Sequence, residues 1–127
     1  MQKFVEQFEK TVNASPIVLS SSIEKQFGPS GSTVYVKGSL RFINATVLIL
    51  AIYANESARQ VIVDKYRFQY MTGDGQMIFR YDNAPHHPEL ASFPHHKHLP
   101  NKVIPSSMPS IKDILNEISA GILQSRP

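Results

Sequence analysis

TVYVKGSLRFI, residues 33–43, alternates: Val34 and Val36 point one way, Tyr35 and Lys37 the other. After Gly38, Leu40 and Phe42 continue the apolar set, with Ser39 and Arg41 opposite. A period of two over this length predicts a β-strand with one covered face. Downstream, Asn44-Ala45 is a short link. Residues 46–54, TVLILAIYA, are apolar at almost every position, which predicts a second strand buried on both faces. After a polar turn over 55–59, residues 60–72 form a third strand, in which Ile62, Tyr66, Phe68 and Tyr70 alternate with Lys65, Arg67 and Gln69. Gly73-Asp74-Gly75 is a hairpin turn, and residues 76–81 make a fourth strand. Upstream, residues 17–27 lean towards β structure and end in the turn cluster Gly28-Pro29-Ser30-Gly31.

Both flanks read as helices. Phe4, Phe8 and Val12 recur at i, i+4 and i+8 within residues 2–13, with Pro16 ending the pattern. Ser107-Met108-Pro109 marks a second helix start, with Pro near the first helical position. Ile111, Ile114, Leu115, Ile118 and Ile122 form its apolar stripe, and Gly121 and Pro127 close it. The expected class is α+β. It comprises an antiparallel meander of four to five strands, terminal helices packed on one face, and a Pro/His-rich loop, all in one domain over 1–127.

Composition bounds the function. With 127 residues the chain suits one domain that buries about two-thirds of its extended surface. There are no cysteines, which excludes disulfides and zinc–thiolate sites and suits a reducing cytosol. The opening MQKFVEQFEK is too charged for a signal peptide. The longest apolar run falls far short of the roughly 20 residues of a spanning helix. The expected location is cytoplasmic, without membrane contact. A formal charge of +3 and a pI near 9.3 are compatible with a polyanionic partner without demanding one.

The chemistry concentrates in residues 79–99, FRYDNAPHHPELASFPHHKHL, which hold all five histidines: His86, His87, His95, His96 and His98. Pro85, Pro88, Pro94 and Pro100 punctuate it, so it reads as an ordered irregular loop leaving the end of a strand. Imidazoles near their working pH serve as acid and base in phosphodiester cleavage, and Arg80 or Lys97 would offset phosphorane charge. Lys65, Tyr66 and Arg67 extend a basic, aromatic surface for a single strand of nucleic acid. An alternative is a divalent transition metal on His96 and His98, or on one histidine from each pair, with Asp82 or Glu89 as carboxylate. No zinc motif such as H-E-x-x-H is present. A loop that merely covers the sheet, its ring nitrogens bonded to carbonyls, is the bland reading, and five histidines in one loop weigh against it.

The order FRYDNAPHHPEL from Phe79, then FPHHKH from Phe93, then PSIKDILNEI from Pro109, resembles the TumE-type toxins. The likeness runs from about Val36 to Ile118. It implies a small bacterial toxin of a type II toxin–antitoxin module, acting on RNA or translation and neutralised by a helix-turn-helix antitoxin. Arg80, Tyr81, Asp82, His86, His87, His95, His96 and His98 match the shared motif. One departure stands out. The resemblance implies a glutamate in the middle of the strand that here reads TVLILAIYA, with Ala51 or a neighbour in its place. The chain is impaired or inert if that carboxylate is a base or a ligand in the family.

The leading expectation is therefore a ribonuclease-like toxin without a cofactor, with Arg80, Asp82, His86, His87, His95, His96 and His98 in the catalytic site. Lys65, Arg67 and Lys97 would contact RNA. A metal-dependent hydrolase using His96, His98 and Asp82 is the second reading, and a non-catalytic module binding nucleic acid or protein the third. A homodimer is a further partner that an open meander permits.

Overall fold

The structure, a computed structural model, describes residues 1–125. In chain order the elements are α1 (Gln2–Ala14), β1 (Val18–Phe27), β2 (Thr33–Phe42), β3 (Val47–Ser57), β4 (Gln60–Met71), β5 (Met77–Asp82), β6 (His96–Leu99), β7 (Lys102–Pro105) and α2 (Ile111–Gln124). The strands pair in sequence order, each antiparallel to the next, in one seven-stranded sheet. The α+β class stands, but the strand count is seven rather than four to five. The two extra strands, β6 and β7, come from the end of the presumed loop and the segment after it. Their prolines bound the pairing rather than break it. Pro94 and Pro100 flank β6, and Pro105 sits at the end of the edge strand β7, where an absent N–H costs nothing. Irregular backbone is confined to residues 83–95 on this side of the sheet.

One face of the sheet is covered. Val34, Val36, Leu40 and Phe42 of β2, Leu48, Leu50, Ile52 and Ala54 of β3, and Tyr66, Phe68 and Tyr70 of β4 join Phe79 and Tyr81 of β5. Onto them pack Val5, Phe8 and Val12 from α1 and Ile114, Leu115, Ile118 and Ile122 from α2. At roughly 2 kcal/mol per buried aliphatic side chain, the α2 stripe alone accounts for much of what holds that helix. Ser110 caps it: its Oγ accepts from Asp113 N, while Asp113 Oδ2 accepts from Ser110 N. The helix therefore starts at Ile111, after Pro109 rather than on it. Gly121 lies inside the helix, and Pro127 lies outside the described residues. The core tyrosines keep their hydroxyls satisfied, with Tyr70 donating to Thr46 Oγ1 at 2.7 Å and Tyr81 to Glu117 Oε1 at 2.6 Å. Gly38 is required by proximity: a Cβ there would lie 2.2 Å from the carbonyl oxygen of Ser22.

Among the described residues the opposite face carries no helix. This overturns the expectation that β3 is buried on both sides, since Ile49 and Tyr53 are exposed. A bulge explains another departure. Tyr53 pairs with Lys65 but Ala54 with Val63, so Asp64 is the extra residue and the side chains before it change face. Ile62 thereby leaves the Tyr66–Tyr70 set and is exposed.

The polar turn expected over 55–59 narrows to two residues, Ala58 and Arg59, with φ of 50° and 64°. Two positive φ values mark the hairpin turn that Asn-Gly fills best. Replacing the pair by Asn-Gly should raise stability by about 1 kcal/mol, read as a higher urea midpoint at unchanged slope. An unchanged or lower midpoint would refute this account of the turn.

Candidate functional site

The uncovered face is built in rows. Tyr35 of β2 lies beside Tyr53 of β3 and Lys65 of β4. The next row runs Lys37, Ala51, Arg67, Asp82, His96. The third runs Ser39, Ile49, Gln69, Arg80, His98. Strand alternation thus carries Arg80 with Asp82, and His96 with His98, onto one face. Antiparallel pairing of β5 with β6 then sets the two pairs opposite each other. Thirteen residues of irregular chain separate Asp82 from His96, and the register closes that gap.

Asp82 is the hub. Its side chain is 7% exposed. Oδ2 accepts from Arg80 Nε at 2.9 Å and lies 3.5 Å from His98 Nε2. Oδ1 accepts from Ala84 N at 3.0 Å and lies 2.9 Å from His96 Nε2. His96 is fully buried, and its Nδ1 donates to the carbonyl oxygen of Pro94 at 2.9 Å. His98 is less enclosed, and its Nε2 accepts from Arg80 Nη2 at 3.2 Å. Burial first, then the Arg80 guanidinium, lowers the pKa of His98 against the opposing pull of Asp82. His87 completes the cluster from the irregular segment. Its ring lies 5.1 Å from that of His96 and 5.8 Å from that of His98, and its Nδ1 meets Glu89 Oε1 at 3.1 Å.

Beside the hub opens a cavity of about 450 Å³, lined by residues that include Tyr53, Lys65, Arg67, Arg80, Asp82 and His86. Among the described residues Lys65 and Arg67 have no ion-pair partner, so both cations face this space unneutralised. Ala51 also lines the cavity, next to Arg67 in its row.

Arg80, Asp82, His87, His96 and His98 thus converge; His86 lies on the cavity lining, short of the cluster. His95 turns away from it: its Nδ1 is 2.8 Å from the Tyr66 hydroxyl and the two rings stack. Burial, then the Asp82 charge, raises the pKa of Tyr66 well above the ordinary phenol range. Lys97 lies on the helix-covered face. There its Nζ donates to Glu117 Oε2 at 2.6 Å and sits over the Phe79 and Tyr81 rings. Burial opposes its charge, but Glu117 and Tyr81 together raise its pKa. Period-two alternation dictates this placement once 96–99 is a strand. Tyr53 was missed as a site residue. The signal was its polar edge within an apolar run, in the parity opposite to Leu50 and Ile52.

One ring nitrogen from each of His87, His96 and His98 lies within 4.8 Å of the other two. Among the described residues these three histidines could together hold a metal ion; of the expected set they include His96 and His98, while Asp82 lies against those two rings.

A protein-family model described as Toxin TumE matches residues 8–125 of the chain. The chain belongs to the Toxin TumE family. The match spans the sheet, the histidine segment and α2, so this TumE-family protein carries its Asp82-centred cluster within the matched region. No curated protein and no solved structure matches it. Among the described residues of this TumE-family chain, no helix is long and apolar enough to cross a membrane.

Proposed function

We propose that this TumE-family toxin acts on RNA, cleaving the phosphodiester backbone on the uncovered face of its sheet, and that a protein antitoxin neutralises it. The observation that carries the reading is the convergence of Arg80, Asp82, His98 and His87 beside a cavity flanked by two unneutralised cations, Lys65 and Arg67. In this reading Lys65 and Arg67 hold the phosphates on either side of the target. Arg80, fixed by Asp82 through Nε, presents its remaining N–H groups to the charge that develops on the scissile phosphate. His98 is a neutral ring accepting from Arg80, so its nitrogen is available to take the 2′-hydroxyl proton as Arg80 turns to phosphate. His87, about one-third exposed and backed by Glu89, returns a proton to the leaving oxygen. His96 is too deeply buried to reach substrate. It positions Asp82, and through it Arg80. His95 and Lys97 take no part. Tyr35 and Tyr53, exposed in the adjoining row, offer flat faces on which unpaired bases stack.

The test is induced expression in a bacterial host lacking the cognate antitoxin. Wild type should arrest growth and shorten cellular RNA, and Arg80→Ala at equal soluble yield should do neither. Equal growth with intact RNA in both cultures would sink the reading. Arrest by both proteins would remove Arg80 from it.

A further inference from the structure

The histidine cluster gathers three ring nitrogens close together beside one nearly buried carboxylate. Pro94 O can only accept, so the hydrogen of a neutral His96 sits on Nδ1. That leaves a lone pair on Nε2 aimed at Asp82 Oδ1 from 2.9 Å. Two lone pairs at that distance repel, so either a proton on Nε2 or a metal ion in its place lies between them. His98 Nε2 lies 3.5 Å from Asp82 Oδ2, and its one lone pair accepts from Arg80 Nη2, so it reaches an ion once Arg80 turns away. His87 gives Nδ1 to Glu89, which leaves its Nε2 lone pair free. Three ring nitrogens within 4.8 Å of one another, with Asp82 against two of the rings, offer the nitrogen and oxygen donors that suit zinc.

We infer that His87, His96, His98 and Asp82 form a binding site for a divalent transition metal, Zn²⁺ in the first instance. The surroundings fit. Ligating histidines usually give their other N–H to a carbonyl or carboxylate, as His96 does to Pro94 and His87 to Glu89. Tetrahedral bonds of about 2.0–2.1 Å need donors about 3.4 Å apart. The ring nitrogens, within 4.8 Å of one another, must therefore close by an ångström or so. His87 can supply that movement because it stands on irregular chain and is the most exposed of the three. Arg80 must release His98, and its side chain is 35% exposed and has water to turn to. His96, fixed in β6, is the anchor.

This inference goes beyond the proposed RNA reading. The two also compete, because a ring nitrogen cannot carry a proton and hold an ion at once. Untagged full-length protein, stripped with chelator and dialysed, is titrated with Zn²⁺ by calorimetry and with Co²⁺ by visible absorption. One ion per chain is expected, with Co²⁺ giving the intense bands of a tetrahedral site. Glu89→Gln should weaken Zn²⁺ about 10–100-fold, and His87→Ala more. His95→Ala should leave affinity unchanged. His87→Ala removes a partly exposed side chain, and thermal unfolding checks that it folds. Failure of wild type to take up either ion overturns the site, as does His87→Ala binding as tightly as wild type. RNA cleavage measured on the same samples separates the two readings. Loss of cleavage on Zn²⁺ loading supports both, whereas cleavage that requires Zn²⁺ keeps the site and removes the metal-free acid–base chemistry.

Discussion

Asp82→Ala should be the most damaging single substitution in the site, lowering stability by about 3 kcal/mol. The carboxylate is nearly buried and serves four groups: Arg80, His96, His98 and the Ala84 amide. Removing one partner of a buried charged pair costs roughly 3–5 kcal/mol, because the remaining charge keeps its desolvation penalty. The lower end applies here, since Arg80 is one-third exposed and can turn to water. His96 cannot, being 2% exposed between Pro94 and Asp82. Asp82→Asn keeps an acceptor for Ala84 N or His96 but puts an NH₂ group against Arg80 Nε, so its cost should fall between wild type and Ala. Urea denaturation of the three proteins checks the order. If Asp82→Ala unfolds at the wild-type midpoint, the hub is a surface feature rather than a buried network. If Asn and Ala cost the same, the charge rather than the acceptor geometry carries the stabilisation.

The legible and illegible parts of this molecule divide along physical lines. Residues 33–43 reveal a strand because each alternate side chain faces a different medium, and burial of Val34, Val36, Leu40 and Phe42 follows that pattern. The same logic fails at TVLILAIYA. Composition alone cannot separate a strand covered on both faces from one whose exposed side happens to carry Ile49 and Tyr53. Bulges are invisible to periodicity, so Ile62 joins the wrong face until the pairing of Tyr53 with Lys65 is known. Strand β6 hides for another reason: a four-residue strand is too short to show a period. That is also why Lys97 reads as a companion of the histidines in sequence and sits behind the sheet in space, against Glu117. Clustering of histidine, aspartate and arginine between residues 79 and 99 is plain in the sequence. Which three of the five rings meet is not, because it depends on the register that sets Asp82 beside His96.

His98→Ala should lower RNA cleavage by about 10²–10⁴-fold, the range expected when a positioned proton-transfer group is lost. The substitution singles out chemistry because its structural cost is small. The ring is 18% exposed at its side chain and lies at the end of a four-residue strand near the sheet edge. Asp82 keeps Arg80, His96 and the Ala84 amide. Arg80 loses only one acceptor and remains bound to Asp82 through Nε. Stability should therefore fall by no more than about 1–2 kcal/mol, the range for one hydrogen bond and modest packing. RNA affinity should hold, since the phosphate contacts assigned to Lys65 and Arg67 are untouched. His95→Ala is the matched control: an adjacent imidazole in the same segment, bonded to Tyr66 and outside the cluster. It should cleave within about threefold of wild type. Single-turnover assays on a labelled single-stranded RNA, run with chelator present to keep the rings metal-free, give both rates, and a filter-binding titration gives affinity. Equal losses for His98→Ala and His95→Ala would mean that the assay reads damage to the segment as a whole. Undiminished cleavage by His98→Ala would take the ring out of the reaction and leave Arg80 to act with some other base.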